Sequence, residues 1–153
     1  TAKTGFKTKS TPEGITDAPV NPLALAIVSV ATFVARGFAG DLPGLTVLMT
    51  EAMNHKGFAV LDVLQPCVTF DKIHTYQWYR PRLYKLDGTG YVPDNKLTAL
   101  EKAMEWGDKI PLGVLYKEDR PTSEGLESAL QGEPLIRLPL EVAHWDALLN
   151  EFV

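Results

Sequence analysis

The sequence predicts an α/β fold with a mostly parallel sheet and flanking helices. Three observations carry this. Phe58-Ala59-Val60-Leu61-Asp62-Val63-Leu64 is a nearly continuous apolar run, the mark of a parallel strand covered on both faces. Thr32 to Ala35 is a second short piece, β-branched and aromatic enough for a strand. Segments with helix punctuation precede each of them, so helices and strands alternate along the chain, as crossover-connected sheets require.

Residues 1–20 carry Gly5, Pro12, Gly14 and Pro19 among the lysines Lys3, Lys7 and Lys9, with no apolar period; they read as a loop. Asn21 is a good N-cap and Pro22 a good first helical residue, so a helix starts there. Its residues are apolar all round, as in a helix buried on both sides. Asp41 caps a second helix with Pro43 in its first turn. Leu45, Leu48, Met49 and Ala52 share one face of it. Gly57 is expected to end it after His55 and Lys56, cations that suit a helix C-terminus. The strand from Phe58 to Leu64 follows.

From His74 to Tyr84 the chain turns aromatic, and Pro81 keeps any helix there short. The rings are expected to pack on the domain edge. Asp94 or Asn95 caps a third helix from Lys96 to Trp106, with Leu97, Leu100 and Met104 on one face. Ile110 to Tyr116 reads as an edge-prone strand, weakened by Pro111 and Gly113. Gly125 to Leu130 suggests a helical turn. Leu140 to Phe152 is amphipathic, with Val142, Trp145, Leu148 and Leu149 at helical offsets.

The length of 153 residues suffices for one ordinary domain with a real core, and the hydrophobic share of 45% is that of a globular protein. A net charge of −4 argues against a nucleic-acid partner. The apolar run from Leu23 to Ala35 falls well short of the roughly 20 residues that span a bilayer, so no membrane segment is read. One cysteine excludes an internal disulfide and suits a reducing compartment, the cytoplasm.

That cysteine, Cys67, lies in Leu64-Gln65-Pro66-Cys67-Val68-Thr69-Phe70. It sits just past the clearest strand, beside a proline that stops it, at the end of the sheet where α/β folds gather ligands. The competing reading is a small buried hydrophobe, the commoner fate of a lone cysteine. His55, His74 and His144 show no metal spacing and read as surface or structural histidines. Asp62, inside an apolar strand, must find a hydrogen bond or a cation, with Lys56 or Arg36 as candidates.

Asn21 to Ala26, Ala31 to Gly37, Ala52 to Phe58, Asp62 to Phe70 and Thr75 to Tyr79 occur in one order. Together they closely resemble the β subunit of 2-oxoacid:ferredoxin oxidoreductases, which carries the thiamine-diphosphate-binding domain. Gly5 to Pro12 looks like that family's Lys-Thr-Lys loop. The family's Gly-Asp-Gly motif with its downstream Asn, which holds Mg²⁺ and the cofactor diphosphate, does not occur here, nor do three of its four cluster cysteines. The chain starts at Thr1 without an initiator Met, and it is expected to be the C-terminal part of a longer subunit.

The resemblance implies the C-terminal part of a thiamine-diphosphate-binding fold. It implies oxidative decarboxylation of a 2-oxoacid such as pyruvate or 2-oxoglutarate, acyl transfer to coenzyme A, and electron exit through a [4Fe–4S] cluster to ferredoxin. Cys67 would be one cluster ligand, with the other three outside this chain. Lys7 and Lys9 would lie near thiamine diphosphate or coenzyme A. Thiamine diphosphate, Mg²⁺ and the cluster are expected in the complete enzyme only, and the α subunit of the same enzyme is the expected partner. Residues 1–20 would link to an upstream half, 21–118 would form the α/β domain, and 119–153 would pack on that domain or on a partner subunit. The segment alone is expected to be inactive. The alternative is a non-catalytic assembly or binding module that keeps the fold.

Overall fold

The computed structural model describes residues 4–8, 10–127, 132–133, 135–137 and 145–151. The chain divides into two compact units, Thr1–Arg120 and Pro121–Val153. The first holds α1 (Pro22–Val28), β1 (Phe33–Phe38), α2 (Leu42–Asn54), β2 (Ala59–Leu64), α3 (Tyr76–Tyr79), β3 (Leu83–Lys85), α4 (Lys96–Met104) and β4 (Ile110–Lys117). The described part of the second holds α5 (Ser123–Leu126), a 3₁₀ turn at Leu135–Arg137 and α6 (Trp145–Asn150).

Side-chain caps start the helices where the sequence predicts. Asn21 accepts from Ala24 N–H, Asp41 from Gly44 N–H, and Asn95 from Leu97 and Thr98 N–H. The sheet order is β2-β1-β4-β3. β1 runs parallel to β2, and β3 parallel to β4, while β1 and β4 are antiparallel. Val34 of β1 packs with Leu23 and Ile27 of α1 and Ala99 and Ala103 of α4. Gly37 lies an odd number of residues along and therefore faces the other side, where a Cβ would come 2.7 Å from Leu45 Cδ1 of α2. Helices thus flank both faces. A second cluster of Phe38, Leu64, Tyr79, Ile110 and Leu112 lies under α3.

Several sequence expectations need correction. α1 buries Leu23, Ala26 and Ile27 but exposes Leu25 and Val28, so it is not covered all round. β1 continues through Arg36, Gly37 and Phe38, because Arg36 is accommodated by Asp62 on the neighbouring strand. α2 stops at Asn54, before His55 and Lys56. His55 is turned instead to Thr32, with Nε2 2.8 Å from Thr32 Oγ1. Gly57 serves that contact: its φ is 147°, and a Cβ there would fall 2.3 Å from Thr32 Oγ1. β2 is an edge strand, and Val63 is 39% exposed.

α4 faces the core with Ala99 and Ala103, while Leu97 and Met104 are exposed. The small alanines let α4 approach α1 closely, and Asn21 Nδ2 donates to Ala103 O at 2.8 Å. β4 is central, not an edge, with Ile110, Leu112 and Leu115 buried. Ile110 N–H donates to Arg82 O on the β3 side. Alternation then turns the Pro111 nitrogen toward β1, whose pairing with β4 begins only at Gly113. The missing N–H therefore costs nothing. The helical turn expected over Gly125–Leu130 lies earlier, at Ser123–Leu126, and residues 128–130 are outside the described residues. The C-terminal amphipathic piece is helical over Trp145–Asn150, while Leu140 to His144 and Phe152 are outside them.

Candidate functional site

β2 ends at Leu64, and the chain leaves the sheet through Gln65 and Pro66. Pro66 is buried and Cys67 is exposed. The thiol therefore stands just beyond the carboxyl end of a parallel strand, on a segment anchored from below. Asp71 N–H donates to Cys67 O at 2.9 Å and closes a turn around Val68 to Phe70.

Asp71 then organises the return path. Its Oδ1 accepts from Ile73 and His74 N–H, each at 2.9 Å, and its Oδ2 lies 2.6 Å from His74 Nδ1. Burial pushes the Asp71 carboxyl up, but these hydrogen bonds outweigh it and hold the carboxyl below its ordinary range. The His74 ring stands edge-on to Trp78 with centroids 4.7 Å apart, and the Arg82 guanidinium covers Trp78 at 4.3 Å. The aromatic stretch thus packs on the domain, as expected.

The opening lysine loop meets this segment. The Phe6 and His74 rings are 5.9 Å apart. Gly5 N–H donates to Ile15 O at 2.7 Å and Ile15 N–H to Phe6 O at 3.1 Å, so the loop folds back on itself. Lys7 follows Phe6 and is exposed. The Phe6–His74 contact joins the opening loop to the segment that follows Cys67. Lys3, Lys9 and His144 lie outside the described residues.

Asp62 pairs with Arg36, Nε to Oδ2 at 3.0 Å, and not with Lys56. A larger groove of about 440 Å³ lies between α2 and the β3–β4 side, edged by the Asp41–Lys85 ion pair. The Lys85 ammonium holds Asp41 below the usual carboxylate range. Neither Cys67 nor Lys7 lines that groove. Among the described residues no group of three or more His, Cys, Asp or Glu is placed to hold a metal ion. No helix among them is long and apolar enough to cross a membrane.

Sequence reasoning missed the part Asp71 plays. The available clue was an Asp followed three residues later by a His, in a stretch too short for a periodic element; Asp favours turns in which its side chain bonds nearby N–H groups.

A family model for the C-terminal region of the pyruvate ferredoxin oxidoreductase beta subunit matches residues 67–131. The 2-oxoacid:ferredoxin oxidoreductase subunit beta of Saccharolobus solfataricus is 45% identical over 129 residues, 78% of this chain and 42% of that protein. Subunit beta of 2-oxoacid:ferredoxin oxidoreductase 1 of Aeropyrum pernix is 45% identical over 126 residues, 76% of this chain and 40% of that protein. A solved 2-oxoglutarate:ferredoxin oxidoreductase from Magnetococcus marinus, with 2-oxoglutarate, coenzyme A and succinyl-CoA bound, superposes with a TM-score of 0.73 at 34% identity. That match covers 80% of this chain and 42% of the solved one. The match thus spans about two fifths of the length of these relatives. On these likenesses the chain belongs to the family of 2-oxoacid:ferredoxin oxidoreductase β subunits and corresponds to their C-terminal part.

Proposed function

We propose that this chain is part of a β subunit whose enzyme oxidatively decarboxylates a 2-oxoacid, releases carbon dioxide and transfers the acyl group to coenzyme A. The electrons leave through a [4Fe–4S] cluster to ferredoxin. The observation that carries this reading is the place of Cys67: exposed, past the carboxyl end of β2, and held between buried Pro66 and the Asp71 turn. A thiolate is a soft, strongly donating ligand that suits iron, and an exposed one can reach an iron atom without disturbing the core. The chain has no second cysteine, so Cys67 supplies one ligand and the other three come from outside it. The cluster, when bound, takes up and passes on electrons singly.

The chain's own residues hold and orient. Pro66 and Asp71 fix the backbone on either side of Cys67, and His74 ties that segment to the lysine loop through Phe6. Lys7 and Lys9 supply positive charge suited to the phosphates of thiamine diphosphate or coenzyme A. The family's Gly-Asp-Gly motif with its downstream Asn does not occur in this chain, so the Mg²⁺ ion and the cofactor diphosphate are assigned to the rest of the subunit. Residues 1–20 link to that remainder, 21–118 form the α/β domain, and 119–153 pack on it or on a partner. The α subunit of the same enzyme is the partner and ferredoxin the electron acceptor. A reducing cytoplasm suits the exposed thiol.

The test uses the complete subunit with its partner, kept anaerobic with thiamine diphosphate, Mg²⁺ and coenzyme A. Pyruvate or 2-oxoglutarate should reduce a viologen dye and yield acyl-CoA, while the 153-residue chain alone should do neither. Turnover by the chain alone, or none by the complex with either acid, contradicts the proposal.

A further inference from the structure

Past Cys67 the chain keeps large apolar side chains in the open. Val68 is 64% exposed, Phe70 53% and Ile73 60%. Exposed apolar residues scattered singly are ordinary, but a close group of them marks a contact surface. Two successive turns gather these three. Asp71 N–H donates to Cys67 O, and Asp71 Oδ1 accepts from Ile73 and His74 N–H. The patch is therefore part of the same short loop that presents the thiol.

The charge beside it runs against that of the chain as a whole. The net charge is −4. Between Gln65 and Arg82, however, the cations Lys72, Arg80 and Arg82 meet one carboxylate, Asp71, which His74 already engages. Lys72 and Arg80 are exposed, and neither pairs with a carboxylate among the described residues. Arg82 covers the Trp78 ring, and its Nε lies 4.0 Å from the fully exposed Asp108 carboxylate. An apolar centre with a polar rim is the anatomy of a protein-docking surface, and a cationic rim selects an acidic partner.

We infer that the patch of Val68, Phe70 and Ile73, with Lys72 at its edge, seats a small acidic electron-carrier protein. This rests on the proposed exit of electrons at the cluster held by Cys67. Electron transfer weakens steeply with distance, so the carrier has to sit close to that ligand, and this patch adjoins it. In each encounter the reduced cluster gives up one electron and the carrier takes up one; no bond forms or breaks. Carriers of this kind meet their partners over small areas, and opposite charge speeds their approach.

The test uses the complete subunit with its partner. A ferredoxin of net negative charge is the carrier, and a viologen dye is the small acceptor that needs no docking surface. In the unaltered enzyme, rising salt should raise the KM for ferredoxin, because screening weakens the attraction. Lys72→Glu should raise that KM about tenfold at low salt and flatten its salt dependence. Ile73→Ser should raise it at every salt concentration. Both variants should keep the kcat of the unaltered enzyme with saturating dye, and its iron content. The inference is overturned by a KM for ferredoxin that ignores salt in the unaltered enzyme, by one unchanged in Lys72→Glu and Ile73→Ser, or by an equal loss with dye and ferredoxin. Dye reduction by the unaltered complex tests the cluster reading by itself, so the two readings fail separately.

Discussion

Ile73 N–H, His74 N–H and the His74 ring all converge on the Asp71 carboxylate. Burial raises the carboxyl, and these bonds more than reverse it, so the folded group titrates below its ordinary value of 3.8. A depressed carboxyl contributes stability that is present above the unfolded value and is lost as pH falls through the folded one. Asp71→Asn should therefore cost about 1 kcal/mol near neutral pH, the worth of a charged acceptor in a half-buried turn. The gap to wild type should narrow as pH drops below about 4. Urea unfolding of both proteins across that range measures it; a gap that holds constant or widens on acidification is inconsistent with the assigned bonds. Of these residues the sequence read His74 as surface or structural and Asp62 as needing a partner. It did not reveal the Asp71 turn, whose bonds depend on a local backbone path and not on any periodic face.

Among the elements, helix starts were legible because capping is local: Asn21, Asp41 and Asn95 each bond the first N–H groups of the helix they open. Helix faces were less so. Leu97 and Met104 outrank Ala99 and Ala103 in hydrophobicity, yet the alanines face the core because α1 comes close. The position of β4 was not legible either, since Pro111 disqualifies a central strand only where its nitrogen faces a paired neighbour. α1 ends in a strained turn. Val30 takes φ 60°, the left-handed region that β-branched residues avoid at a cost of roughly 1–2 kcal/mol. Its side chain is largely exposed, so little packing offsets the strain. Val30→Asn should raise stability by about 1 kcal/mol, because Asn adopts this conformation readily. Thermal unfolding checks it, and a lowered midpoint would show that Val30 makes a contribution the turn geometry hides.

For the whole molecule, composition and charge excluded classes of function without naming one. The order of sequence pieces from the lysine loop to the Thr75–Tyr79 piece named the family, and the similarity to β subunits bears that out. The strand order β2-β1-β4-β3 was not readable, because nothing local says that β4 inserts beside β1. Cys67 is where fold and proposed chemistry meet, and it supplies the most direct measurement: iron content and low-temperature EPR of the reduced complete enzyme, wild type against Cys67→Ser. Serine oxygen is a harder and poorer iron ligand than thiolate. The variant should lose most of the [4Fe–4S] signal and bound iron, and electron delivery to ferredoxin should fall with them. An unchanged cluster signal and iron content would contradict the assignment of Cys67 as a cluster ligand and leave the family resemblance as a statement about fold.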